Sequence, residues 1–184
     1  MKQIEIKESK ISSIGNFIIN KFKSENINII SVNPTRYLTR QINDYILEKL
    51  NISRIIIPAF KTETTFKINK NKKNNAIVEQ KLIIGIGAHV MLVKNLNISN
   101  NLCNGAIGIV TEIKTNNDNF VEYISVYFYK TKITKKIERI ELEIEIFKGT
   151  NIEMMQFPLI LSWAITIHKV QGQTLEYILV DIGN

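Results

Sequence analysis

The sequence predicts an α/β chain interrupted by a β-rich insertion, and three observations carry that prediction. A short apolar run over residues 27–32 leads through Pro34 into a helical stripe over 39–50, the strand–turn–helix order of an α/β unit. Between about 56 and 155 the apolar residues change to short runs and strict alternation, separated by Asn- and Lys-rich turns. From 157 onward a long apolar run, a polar turn and a second apolar run return to the α/β style.

Each element follows from its own pattern. Ile11, Ile14, Ile18 and Phe22 recur at helical spacing and predict a helix over 9–23, with serines available as caps. After the polar break Ser24-Glu25-Asn26, residues 27–32 read as a short buried strand that Pro34 ends. Over 39–50, Ile42, Ile46 and Leu50 share one helical stripe with Tyr45 beside it. Lys67, Lys70, Lys72 and Lys73 lie in a stretch without an acid between Glu63 and Glu79, a solvated loop at the entry to the insertion. Strands are expected over 89–94, 106–113 and 121–129. The clearest strand is a fourth, where Ile140, Leu142, Ile144 and Ile146 alternate with Arg139, Glu141, Glu143 and Glu145. Period two predicts one buried face and one acidic face in water. Several such strands joined by polar turns predict a small β-barrel or sandwich. The last part places an apolar run at 159–167, a turn at 168–174 and another run at 177–182. The expected domains are 1–55, 56–155 and 156–184, the first and last belonging together.

The bulk numbers bound the function. A chain of 184 residues with 45% hydrophobic content holds one ordinary domain, or a partial domain with a small insert, around a packed core. The formal net charge of +7 favours a polyanionic partner. An anionic membrane surface is the competing explanation, but no basic amphipathic stretch with a bulky aromatic face supports it. No apolar run reaches the roughly 18 residues of a membrane span. Glu5 and Glu8 make the start unlike a secretory or transit peptide. Cys103 is the single cysteine, so no internal disulfide forms and a reducing interior fits. The expectation is a soluble, intracellular chain with no membrane partner.

Several catalytic classes have no support. There is no Gly-x-x-x-x-Gly-Lys-Ser/Thr loop to cradle phosphate, and Gly85-Ile86-Gly87 precedes a strand without the following lysine. No Asp-Glu pair follows a buried strand to hold magnesium. His89 and His168 are far apart without carboxylate spacing, so no metal site is expected. No Ser-His-Asp or Cys-His motif accompanies them. By its own residues the chain offers no self-sufficient catalytic centre.

Three segments in fixed order do carry information. The first runs from Asn33-Pro34-Thr35-Arg36 to Tyr45. The second is Gly87-Ala88-His89-Val90-Met91-Leu92-Val93-Lys94-Asn95-Leu96, followed by Asn104-Gly105-Ala106-Ile107-Gly108. The third is Gln156-Phe157-Pro158-Leu159, then Trp163 to Leu175. In the third, Thr166, His168 and Lys169 present a hydroxyl, an imidazole and a cation where a buried strand surfaces, groups suited to the phosphates and sugars of a single strand. Gly172 lets the backbone turn sharply, and Gln171, Gln173 and Thr174 supply uncharged donors and acceptors. On spacing alone an ordinary polar turn between two core strands fits the same residues.

The third segment resembles motif V of superfamily-one helicases, in the form used by the Pif (petite integration frequency) family and its RecD-like relatives. The second is similar to that family's inserted β-barrel, and the first to the segment that opens its second RecA-like domain. The resemblance implies a partial RecA-like domain of the P-loop NTPase type, interrupted by a small Src-homology-three-like β-barrel. It implies an ATP-dependent DNA helicase acting on single-stranded DNA in repair, recombination or telomere maintenance, with ATP and Mg2+ bound in the intact enzyme. A nucleus or mitochondrion would be its compartment in a eukaryote. In the family the turn holding Gln171, Gly172, Gln173 and Thr174 faces the nucleotide, while Thr166, His168 and Lys169 face DNA. Arg36 and Arg40 are the candidates for phosphate contact from the opening segment, with a solvated helix face as the alternative. Lys94 and Asn95 are candidate DNA contacts from the barrel, or equally a strand-end polar pair. Asn104-Gly105 reads as a tight hairpin turn, and Trp163 as core packing in preference to base stacking. The row Glu141, Glu143, Glu145 would repel phosphate, so the barrel's DNA-facing side should lie elsewhere.

The chain lacks the family's phosphate loop and magnesium carboxylates, and it ends before the segment that carries the family's arginine finger. By itself it is expected not to hydrolyse ATP, to need an ATPase domain from the same gene or a separate chain, and to aggregate along an open sheet edge. A stand-alone single-strand-binding module and one subunit of a split helicase are the alternatives.

Overall fold

The computed structural model describes residues 2–61, 80–147, 150–170 and 175–180. Two compact units emerge, Met1–Ile52 together with Leu161–Asn184, and Ser53–Ile160. The first segment of chain holds α1 (Lys2–Glu25), β1 (Ile30–Asn33) and α2 (Arg36–Lys49). The middle holds β2 (Ile55–Pro58), β3 (Lys81–Ile84), β4 (His89–Leu92), β5 (Ile107–Thr115), β6 (Val121–Phe128) and β7 (Ile133–Ile137). It continues with β8 (Ile140–Phe147), β9 (Thr150–Gln156) and β10 (Leu159–Leu161). Then come β11 (Ala164–Thr166), the single turn α3 (Ile167–Val170) and β12 (Ile178–Val180).

In the first unit α1 contains the expected helix and starts earlier, with Ile11 and Ile18 buried. It ends where Asn26 takes the left-handed conformation at φ 54° and donates its N–H to the Phe22 carbonyl at 3.0 Å. The helix therefore occupies more chain than the spacing implied, and β1 begins at Ile30, not at 27. All four residues of β1 are buried. Helix α2 starts three residues before the expected 39, because Thr35 caps it: its hydroxyl accepts from the Leu38 N–H at 3.2 Å. At its other end Asn51 sits at φ 52°. Asn51 N–H bonds the Glu48 carbonyl and Ile52 N–H bonds the Leu47 carbonyl, each at 3.0 Å, a Schellman closure with Asn in the usual glycine position. That closure makes Leu50 the half-buried cap, so Leu47 completes the core stripe with Ile42 and Ile46. A Cβ at Gly15 would run into the Tyr45 ring, so glycine is what lets α1 and α2 approach this closely. These helices accompany a three-stranded sheet in the order β11–β1–β12, both neighbours parallel to β1.

The second unit is β-rich. Its five-stranded sheet runs β10–β4–β5–β6–β7, antiparallel from β4 to β7, and β2–β3 and β8–β9 form two further antiparallel pairs. Strands β4, β5, β6 and β8 match expected strands within a few residues. The strands missed from sequence have weaker patterns. Strand β7 reads Ile-Thr-Lys-Lys-Ile, too polar in its middle to announce itself. Along β8, Leu142 and Ile144 are buried and Glu141 is exposed, as alternation requires. Glu143 departs from the expected wet acidic face: it is half-buried, lies opposite Glu153, and one of its carboxylate oxygens is shut off from solvent without a hydrogen bond. The side chains of Glu145 and Ile146 fall outside the described ones, as do Lys67, Lys70, Lys72 and Lys73.

Two turns differ from expectation. Asn104-Gly105 does not close a two-residue hairpin, because β4 and β5 are joined by residues 93–106. Within that connection the Ala106 N–H bonds the Cys103 carbonyl at 2.9 Å, with Gly105 at φ 91°, a conformation that turns the chain back into β5. The apolar run 159–167 is not one element either. Leu159–Leu161 joins the five-stranded sheet and Ala164–Thr166 the parallel one, with Ser162 and Trp163 buried between them. Burial on both sides of the crossover hides the change of sheet from any hydropathy pattern.

Arg139 anchors the second unit. Its guanidinium lies 4.6–5.2 Å from the ring centres of Phe60, Phe120 and Phe157, and it donates to the Pro58 carbonyl at 3.0 Å and to Gln156 Oε1 at 3.3 Å. Gln156 in turn donates to the Ile57 carbonyl at 3.0 Å. One side-chain pair thus ties β2 to the end of β9. Among the described residues no helix is long and apolar enough to cross a membrane.

Candidate functional site

The candidate site is the C-terminal edge of the parallel sheet in the first unit. Strands β1 and β11 end in register, Asn33 beside Thr166. In open parallel sheets this is the edge where ligands meet the chain, because the loops and helix starts converge there. Both end residues are polar and buried, Asn33 at 1% exposure and Thr166 at 7%. Asn33 is held by its own strand: its Nδ2 donates to the Ser31 carbonyl at 3.1 Å, and Ser31 Oγ donates to Asn33 Oδ1 at 3.3 Å.

The strand carrying the motif is fixed from both sides. On one side β1 binds it, with Ser31 N–H on the Trp163 carbonyl at 2.8 Å. On the other side α2 reaches across. Asn43 Nδ2 donates to the Ala164 carbonyl and Asn43 Oδ1 accepts from the Ala164 N–H, each at 2.9 Å. One amide side chain takes the place of a neighbouring strand, which none of the described residues supplies on that side of β11, and satisfies both polar groups of a buried residue. Sequence reasoning assigned no role to Asn43. No local pattern marked it, since its burial beside Ile42 and its partner 121 residues away appear only in the fold.

From this anchored strand the chain surfaces at once. Ile167 and His168 are exposed and Lys169 is half-buried, all in the single turn α3. The imidazole of His168 stands at the surface, whereas Thr166 is buried. Trp163 is buried at 3% exposure and packs in the core. Gln171, Gly172, Gln173 and Thr174 lie outside the described residues. Arg36 and Arg40 are both exposed, one helical turn apart at the start of α2, which has no acid in its first turn. Their positive charge adds to that of the helix start.

Lys94 and Asn95 belong to the second unit and sit just past β4, both exposed. Each also has a structural bond. Lys94 Nζ donates to the Glu141 carbonyl at 3.3 Å, and Asn95 Oδ1 accepts the Asn104 N–H at 2.8 Å. An electrostatic perturbation lies at the start of the same strand. His89 is buried, and loss of solvent pushes its pKa down to about 4. Its Nε2 meets the Tyr129 hydroxyl at 3.2 Å, and burial with Tyr127 nearby pushes the Tyr129 pKa up. His89 is therefore a neutral core group at physiological pH. Among the described residues no three His, Cys, Asp or Glu side chains gather to hold a metal.

Comparison with known proteins points to one group of relatives. The family model of the DNA helicase Pif1 2B domain matches residues 70–113, of which 80–113 are described and include β3, β4 and most of β5. The ATP-dependent DNA helicase PIF1 of Homo sapiens is 34% identical over 106 residues, which is 58% of this chain. The chain spans 16% of that relative's length. The crystal structure of Pif1 helicase from Candida albicans is similar with a TM-score of 0.60 at 26% identity, over 85% of this chain and 39% of that one. That of Pif1 helicase from Bacteroides in complex with ADP-AlF3 and ssDNA gives a TM-score of 0.56 at 25% identity, over 94% of this chain and 43% of that one. Family model, relatives and solved structures point the same way as the three sequence segments, and over the stretch that it spans this chain is similar to Pif1-family DNA helicases.

Proposed function

We propose that this chain is a working part of an ATP-dependent DNA helicase, joining a single-strand contact to a nucleotide cleft through the segment that starts at β11. In this reading the first unit is part of a RecA-like domain and the second is the small Src-homology-three-like β-barrel inserted into it. The observation that carries the proposal is exposed His168 with half-buried Lys169 beside it, set directly after a strand held on both sides by β1 and Asn43. A rigid strand ending in a surface cation and imidazole suits a phosphate backbone. Thr166 serves as the buried anchor of that contact, and Lys94 with Asn95 supply a lesser one from the barrel.

On the nucleotide side, Arg36 and Arg40 are the charged groups and Gln171, Gly172, Gln173 and Thr174 the turn. Phosphoryl transfer needs neutralisation of charge on the transferring group and an in-line nucleophile. This chain's arginines contribute to the former. The phosphate loop and the carboxylates for Mg2+ belong, in this proposal, to a further ATPase domain. The Bacteroides relative solved with ADP-AlF3 and ssDNA holds both ligands in one protein, which supports a coupled site.

Fluorescence anisotropy of a labelled oligo-dT with the purified chain tests this. Binding should weaken as salt rises, with a log–log slope that falls by about 0.7 for each phosphate contact removed. His168→Ala with Lys169→Ala should cost about tenfold in affinity at low salt. Affinity unchanged by that double substitution would remove the DNA contact from this segment. Binding that ATP leaves unaltered even when the ATPase domain is supplied would favour a motor-less binding module.

A further inference from the structure

We propose that the outward face of the β6–β7 hairpin is a second surface for single-stranded nucleic acid, with tyrosines for unpaired bases and lysines for phosphates. It is independent of the segment after β11. Between Glu122 and Glu138 the sequence carries Tyr123, Tyr127 and Tyr129 and the lysines 130, 132, 135 and 136, with no acid among them. The structure sorts these residues by face. Ile124, Val126 and Phe128 are buried in the core. Tyr123, Ser125 and Tyr127, with Tyr129 just past the strand, alternate with them and so line the opposite face. All three tyrosines keep part of their surface in solvent. Tyr127 and Tyr129 meet edge-on with ring centres 6.1 Å apart.

The cations frame this row. Lys136 is paired in register with Ser125, and its Nζ lies 4.3 Å from the Tyr123 ring centre. Lys130, Lys132, Lys135 and Lys136 are exposed and pair with no carboxylate among the described residues. The acid on this face, Glu112, is held down by Ser125 Oγ at 2.9 Å and the Tyr123 hydroxyl at 3.3 Å. The acids Glu141, Glu143 and Glu153 belong to the separate β8–β9 hairpin. Apart from Glu122 in β6 and Glu138 just past β7, the charges of the β6–β7 hairpin are cations, which leaves a basic edge strand and beside it a row of aromatic rings. Base-stacking platforms combine these two properties, and only unpaired bases can reach such rings. The β7 lysines also keep the open edge from pairing with another strand. That accounts for lysine there but not for the tyrosine row.

The test uses the full chain with labelled oligo-dT, an abasic oligomer and a duplex of equal length over a salt series. Lys132→Glu with Lys136→Glu should weaken oligo-dT binding about tenfold and flatten the salt slope by roughly 1.4, the share of two contacts. Tyr127→Ala should cost about fivefold or more on oligo-dT but nothing on the abasic oligomer, while Tyr127→Phe retains binding. Equal affinity and slope in the charge-reversed chain would overturn the inference, as would equal binding of duplex or abasic strand, or no binding by the parent. Loss with the hairpin variants alone upholds this face and overturns the contact at His168 and Lys169. Loss with those two residues alone does the reverse. Circular dichroism of each variant separates these outcomes from misfolding.

Discussion

The segment after β11 and the β6–β7 hairpin reach a charged surface by opposite routes. In the first, the backbone does the positioning: a three-residue strand is bonded by β1 on one side and by Asn43 on the other, and the chain emerges directly into His168 and Lys169. In the second, no special backbone is needed. Strand alternation alone puts apolar residues on one face and tyrosines on the other. A surface built by backbone anchoring depends on one or two buried polar contacts. A surface built by alternation depends on the core beneath it and tolerates change in each outward side chain.

The largest predicted effect tests the alternation side of this contrast. Phe128 is 1% exposed under the tyrosine row, so Phe128→Ala should destabilise the chain by about 3–5 kcal/mol in urea unfolding. Tyr127→Phe on the other face should cost less than about 0.5 kcal/mol. Comparable costs would erase the distinction between the faces.

Asn43→Ala probes the anchored side. It strands the N–H and carbonyl of buried Ala164, a loss of about 3 kcal/mol by urea unfolding. Asn43→Asp should recover only part of it, because a carboxylate accepts from the Ala164 N–H but cannot donate to its carbonyl. A cost under about 1 kcal/mol for Asn43→Ala would mean that β1 alone holds the strand.

The pH dependence sharpens the same contrast within the second unit. His89 has its folded pKa lowered from 6.5 to about 4, so below pH 6.5 the unfolded chain takes up a proton that the folded chain refuses. Stability is therefore full above about pH 7 and declines as pH falls toward 4. The His89 share should be about 2 kcal/mol between pH 7.5 and 5, read as the difference between parent and His89→Phe melts. Parallel pH profiles for the two would show that His89 charges freely in the fold. The smallest effect belongs to the α2 start. Thr35→Ala removes the cap on Leu38 N–H and should cost about 1 kcal/mol, with Thr35→Ser restoring most of it.

Legibility in the sequence followed the strength of each local pattern. Strand β8 was readable because four apolar and four polar positions alternate without a break, and α2 because its apolar stripe is regular. Strands β7, β9 and β10 were not, since their positions are set by an open neighbour to pair with, not by their own residues. His168 and Lys169 were readable as residue types at the end of an apolar run. Asn43 was not, because its partner is 121 residues away.

What the sequence determined by itself was the kind of chain this is. Strand and helix patterns, net positive charge and three spaced segments were legible, because periodicity and motif spacing are local properties of the polymer, and the segments carried the resemblance to the Pif family. What only the tertiary structure decided was which groups share an environment. It split the run 159–167 between two sheets, buried Thr166 while leaving His168 at the surface, and bonded Asn43 to Ala164 in β11. Those outcomes depend on the satisfaction of buried polar groups across long sequence separations, a condition that no local pattern records.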